Sequence, residues 1–149
     1  MPAPSPLGIA GLDSLVGLIT AVVLGALVGL ERQLRHHPAG LHMNALVALG
    51  SAAFVLAGVV AGDPTGPARV AGQVVTGVGF ICAGVILHQG ATVRGINTAA
   101  TVWCSSAIGV LAGLGTLGWS VALTALVVLA NVVLHYVEHR LAPPAEGQL

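Results

Sequence analysis

The amino-acid sequence predicts an all-α polytopic membrane protein: a bundle of about five transmembrane helices, N-terminus outside and C-terminus in the cytoplasm. Three observations carry that prediction. Only 7% of the 149 residues are charged, against roughly 25% in soluble domains, and 56% are hydrophobic. A water-soluble globule needs a polar exterior that this composition cannot furnish, so the solvent is lipid. Five apolar segments then follow one another, at residues 14–30, 45–61, 70–87, 99–117 and 119–134, none containing Asp, Glu, Lys or Arg. Finally, the 21 glycines are about twice the usual share, as expected where helices must approach closely without a hydrophobic driving force.

The first segment follows Asp13, which is expected to cap its helix, and carries a four-residue stripe of small residues, Ala21, Gly25 and Gly29. The chain opens "MPAPSPLG" without the basic residues of a cleavable leader, so this segment is expected to be retained. "ERQLRHHPAGLHMN" separates it from the second segment, and "GDPTGPAR" separates the second from the third. The third offers Gly72, Thr76 and Gly84, with Gly77 and Gly79 beside them. "HQGATVRGINT" leads to the fourth segment, whose stripe is Thr101, Ser105, Gly109 and Gly113. After a tight "GTLG" turn the fifth holds Ala, Val and Leu with Asn131, and reads as lipid-facing. Gly25, Gly29, Gly79, Gly84, Gly109 and Gly113 are therefore the expected helix-packing residues. Backbone polar groups in lipid must be satisfied within their own segment, which makes helices the available spanning form. Residues 1–140 read as one transmembrane domain and residues 141–149 as a short disordered tail.

Arginine placement sets the expected orientation. With five spans, Arg32, Arg35, Arg94 and Arg140 share one side and only Arg69 lies on the other; the arginine-rich side is cytoplasmic by the positive-inside rule.

The remaining polar residues exclude several functions. There is no lysine, and five arginines balance five acids, so nucleic-acid binding has no basic face to use. Cys82 and Cys104 lie in apolar segments without metal-ligand spacing. "HYVEH" at 135–139 matches an inverted zinc-protease pattern, but a third ligand is wanting, and an interfacial His/Arg band is the better reading. No phosphate loop or nucleophile–base constellation is visible. Neither an enzyme, a cofactor nor a metal site is expected. Asp13, Glu31, Asp63, Glu138 and Glu146 all fall at segment ends or in loops, which leaves no intramembrane carboxylate for a dehydrated divalent cation.

The polar residues that lipid or packing makes expensive are Glu31, Gln73, Thr76, Arg94, Asn97 and Asn131. Glu31 follows the first segment and Arg94 precedes the fourth, both on the cytoplasmic side. Two readings stand: a Glu31–Arg94 ion pair that locks the two helices, or two side chains marking the lipid–water boundary. Asn97 occupies the position expected of an N-cap for the fourth helix.

"GALVGLERQ", "AGLHMNALVALG", "RVAGQVVTGVGFICAGVIL" and "VRGINTAATVWCSSAIGVLAGLG" together resemble the MgtC/SapB family of bacterial inner-membrane proteins, in order and spacing, over about residues 25–140. The resemblance implies a multi-pass inner-membrane protein linked to growth at low magnesium and survival inside macrophages. It implies a regulator or partner of membrane ATPases, including the proton-driven ATP synthase; an ion-transport component is the alternative. The bilayer, a membrane complex and a second copy of the chain are the expected partners. The family's "RGxNTAATxWC" block further implies that Asn97 and Cys104 matter for function. Glu31, Arg94, Asn97, Thr98 and Cys104 form the candidate functional cluster. Two departures stand out: His42 replaces a family arginine, and Cys82 replaces a glycine. Longer members carry a soluble cytoplasmic domain after the last helix, whose role does not transfer to a chain ending nine residues after Arg140.

Overall fold

A computed structural model describes residues 9–36, 39–89 and 92–141. It contains α1 (Ile9–Leu34), α2 (Leu41–Val60), α3 (Gly66–Val85), α4 (Ile96–Gly113) and α5 (Leu117–Leu141). All five are long and apolar enough to cross a bilayer. The α3–α4 connection, read from sequence as a plain linker, holds a short antiparallel pair, β1 (Leu87–Gln89) and β2 (Thr92–Arg94). Residues 142–149 of the expected tail lie outside the described residues.

Helix ends depart from the apolar runs because helical hydrogen bonding does not stop where hydropathy does. α1 begins at Ile9, so Asp13 sits inside it and is not its cap. α1 also continues through Glu31, Arg32 and Gln33, which places Arg32 on the buried face that holds Val28. α3 opens with Pro67 in its first turn, where a missing N–H costs nothing. α4 ends at Gly113, earlier than the apolar run to residue 117 suggests. Gly115 adopts a left-handed φ of 76°, and the N–H groups of Gly115 and Thr116 bond back to the carbonyls of Ala112 and Leu111. That glycine-terminated pattern satisfies carbonyls that lipid would leave bare.

α1, α2 and α4 pack as a central triad, with α3 against α2 and α4 and α5 against α1 and α4. The centre is made of small side chains, Ala21, Ala48, Ala52 and Ala112, so backbones approach to near contact. A Cβ at Gly25 would lie 2.6 Å from the Asn44 carbonyl oxygen, and at Gly29 2.6 Å from the Cα of Leu41. On α4, a Cβ at Gly109 would overlap the Ala48 carbonyl and one at Gly113 would lie 2.5 Å from that of Ala52. On the first and fourth helices these glycines lie against the backbone of α2 or the turn before it. On the third helix the surroundings differ: a Cβ at Gly72, Gly77, Gly79 or Gly84 would meet nothing within 4 Å. α3 touches its neighbours through Val74 and Val78 instead. α5 buries a narrow face through Ser120, Thr124 and Val127, and the rest of it, with Phe54, Phe80 and Trp119, forms an apolar exterior that fits contact with lipid.

Candidate functional site

Polar side chains tie the triad together. Arg32, only 5% exposed, donates from Nη2 to Oγ1 of Thr98 at 2.7 Å, joining α1 to α4. Asn44 is fully buried; its Nδ2 donates to the carbonyls of Ala39 (2.6 Å) and Gly40 (2.9 Å). Its Oδ1 accepts from Ser105 Oγ at 2.8 Å, joining α2 to α4. Ser51, two turns beyond Asn44 on α2, bonds Ser106 of α4 at 2.8 Å, and Cys82 Sγ donates to the Ala99 carbonyl at 3.3 Å. Buried groups of this kind contribute modestly when paired but are costly when left alone, so these contacts fix helix register. α4 is the hub, because its residues 98–106 present hydroxyls toward α1 and α2.

A cavity of about 360 Å³ opens beside this seam, where α1 and α5 end and α4 begins. Glu31, Arg32 and Arg35 line it from α1, Asn97, Thr101 and Cys104 from α4, and Leu126, Ala130, Asn131 and Leu134 from α5. Glu31 is held from two sides. Arg35 Nε faces its Oε1 at 2.5 Å, an ion pair not aligned as a hydrogen bond. Asn131 Nδ2 donates to its Oε2 at 3.3 Å across 100 residues of sequence. Arg32 makes no close ion pair of this kind among the described residues, although the neighbouring Glu31 carboxylate attracts it through space, and its buried Nε has no hydrogen-bond acceptor. The cavity therefore holds two guanidiniums to one carboxylate, several neutral hydrogen-bonding groups and an apolar wall. Among the described residues, no group of three His, Cys, Asp or Glu side chains converges as a metal site.

The expected cluster is partly assembled. Glu31, Asn97 and Cys104 meet in the cavity, and Thr98 lies behind it as the partner of Arg32. Arg94 stands apart, exposed at the end of β2. Of the two readings of Glu31 and Arg94, the ion pair does not form, because Arg35, one helical turn from Glu31, takes the carboxylate. Nor is Asn97 a cap. Gly95, at φ 95°, is the N-cap residue, and no side chain caps the helix. A Cβ at Gly95 would overlap the Val85 carbonyl, so glycine is required there twice over. Asn97 is consequently left to face the cavity. Of "HYVEH", His135 lines the cavity, whereas the side chains of Glu138 and His139 lie outside the described residues.

Sequence reasoning missed Arg32, Asn44 and Ser51 as seam residues. A signal existed for each. Arg32 continues the helical face of Ala21, Gly25 and Val28, and Asn44 that of Ala48, Ser51 and Val55, at spacings of three and four.

Residues 18–140 match the model of the MgtC family. The chain is 47% identical over 137 residues to Protein MgtC of Salmonella choleraesuis (strain SC-B67), covering 90% of this chain and 59% of that protein. It is 49% identical over 118 residues to Protein MgtC of Brucella abortus (strain 2308), covering 78% and 49%. An uncharacterized protein of Synechocystis is 47% identical over 122 residues, covering 82% and 52%. The chain thus spans about half to three-fifths of the length of these curated relatives. No solved structure matches it.

Proposed function

The chain belongs to the MgtC family and is a multi-pass protein of the bacterial inner membrane; on that premise we propose that it is a non-enzymatic regulator that acts by contacting another membrane complex. A membrane ATPase such as the ATP synthase is the proposed partner, and adaptation to low magnesium and intracellular survival the proposed setting. In this reading the arginine-rich end, with Arg32, Arg35, Arg94 and Arg140, lies in the cytoplasm, and the cavity opens at that end.

The observation that carries the proposal is the shape of the cavity. Its lining stops at Cys104 on α4 and Leu126 on α5. Behind the lining, Leu24 and Ile108 form a buried apolar cluster with Val127, which itself lines the cavity. A blind recess carrying Asn97 and Cys104 suits recognition better than conduction, which needs a path with sites along it. The transmembrane unit itself is the object of this proposal, since the relatives are longer.

Cross-linking in native membranes, followed by pull-down and mass spectrometry, tests the reading. A membrane ATPase subunit should be recovered with the wild type and be depleted with Asn97→Ala and Cys104→Ala at equal expression. Saturable Mg²⁺ flux into sealed vesicles holding the purified protein, above an empty-vesicle background, would overturn it in favour of ion transport.

A further inference from the structure

Charge and shape are unevenly distributed in the cavity between α1, α4 and α5. Glu31 is already neutralised by Arg35 and further bonded by Asn131. That leaves Arg32, nine-tenths buried or more, with one nitrogen on Thr98 and Nε aimed at no acceptor. Two guanidiniums share one carboxylate here; the excess positive charge is expensive to hold in a lipid-facing bundle, and an anion beside it offsets that cost. The first turn of α4 ends at the same place, and its N–H groups favour a negative ligand. Along α5 the lining changes character: Leu126 and Leu134 are both exposed and apolar, with Ala130 between them. The recess is thus polar and positive at one end, apolar at the other, and open sideways along a membrane-spanning helix.

We propose that this cavity binds an acidic phospholipid. Its phosphate sits against Arg32 and Asn97, and one acyl chain lies along Leu126, Ala130 and Leu134. The surplus is a single positive charge, which a phosphodiester with a neutral headgroup matches. A zwitterionic lipid brings an ammonium as well, and the carboxylate that would receive it is occupied by Arg35. The proposal rests on the preceding reading only in treating the recess as the functional face, and a bound lipid would give a partner complex a composition-dependent surface to read.

Native mass spectrometry of the purified chain in mild detergent tests it, with phosphatidylglycerol and phosphatidylcholine added in turn. The wild type should retain one phosphatidylglycerol in roughly tenfold preference to phosphatidylcholine, as loss of a charge-assisted contact implies. Arg32→Gln should lose that preference. Ala130→Trp, which fills the apolar end and leaves the Arg32–Thr98 bond untouched, should lower retention even if Arg32→Gln folds poorly. Equal retention of the two lipids by the wild type would overturn the proposal. So would wild-type phosphatidylglycerol retention in folded Arg32→Gln or in Ala130→Trp. Displacement of the lipid by millimolar inorganic phosphate would assign the site to free phosphate and overturn the lipid assignment. No partner is present in this measurement, so its failure leaves the pull-down result standing, and the reverse holds equally.

Discussion

At Gly109 and Gly113 of α4 an added Cβ would strike the backbone of α2, at Ala48 and Ala52; at Gly72, Gly77, Gly79 and Gly84 of α3 it would strike nothing. Both helices are rich in small residues, and both read from sequence as packing surfaces. The difference teaches that a stripe of small residues permits close approach without causing it. On α4 the glycines follow hydroxyls that find partners on α1 and α2, namely Thr98 with Arg32, Ser105 with Asn44 and Ser106 with Ser51. Among the described residues α3 offers only the weaker thiol bond of Cys82 to the Ala99 carbonyl. Its Gln73 and Thr76 are exposed, and the Thr76 hydroxyl turns back on the Gly72 carbonyl at 3.4 Å. Hydrogen bonding chooses which small faces meet, because in lipid apolar contact alone does not discriminate.

The largest expected effect breaks the α4 side of that comparison. Gly109→Leu should destabilise the bundle by about 3 kcal/mol, the upper end of overpacking, because the obstructing atoms are backbone. Gly79→Leu should stay within about 0.5 kcal/mol of wild type. Thermal unfolding in detergent measures both, and equal losses would mean that α3 is as tightly packed as α4. Next, Thr98→Val removes the acceptor of the buried Arg32 while keeping shape. It should cost about 2 kcal/mol, in the range for stranding a charged group, and Thr98→Ser should restore most of it.

Smaller in stability but larger in function is Asn97. Because Gly95 and not Asn97 is the N-cap residue, Asn97→Ala and Asn97→Asp should each remain within about 0.5 kcal/mol of wild type. Both should nevertheless fail to support low-magnesium growth in a complementation assay. Loss of stability and growth together in Asn97→Ala, with both kept in Asn97→Asp, would return the residue to a capping role.

The smallest effect lies at the opposite end of the molecule, where the polar contacts are exposed. Asp63 accepts from the Thr65 backbone N–H at 2.9 Å and pairs with Arg69 at 2.5 Å. The Thr65 N–H bond, followed by the Thr65 hydroxyl, holds its carboxyl below the ordinary carboxylate value. A depressed carboxylate contributes stability above the ordinary value of about 3.9 and loses it as pH falls through the lowered one. Wild type should therefore exceed Asp63→Asn slightly in unfolding temperature at pH 5–7, and the gap should close on further acidification. A gap that widens in acid would contradict the assignment.

Much of the fold was legible because lipid imposes a simple rule: a long run without charge must become a helix that satisfies its own backbone. Five such runs were visible, and five helices formed. Half of the site was legible as well, since Asn97 and Cys104 stand in a motif and Glu31 is an acid at a helix end. Arg32 was less visible, being counted with the arginines that set orientation although its spacing from Gly25 and Val28 places it on the inner face. Arg94 looked equivalent to it by position, yet one is buried and bonded while the other is exposed. Linear order cannot separate the two, because Arg32 is carried inward by a helix that runs on past the apolar segment and Arg94 ends a β-strand outside it.

By itself, the sequence determined the solvent and the number of spans, which follow from composition and from the length of the uncharged runs. Tertiary structure alone decided that Glu31 pairs with Arg35 and reaches Asn131, that Asn97 is freed from capping by Gly95, and that Gly72, Gly77, Gly79 and Gly84 of α3 remain open while Gly109 and Gly113 of α4 do not. Those outcomes depend on which donor arrives within about 3 Å of which acceptor, a distance set by the crossing of helices far apart in the chain.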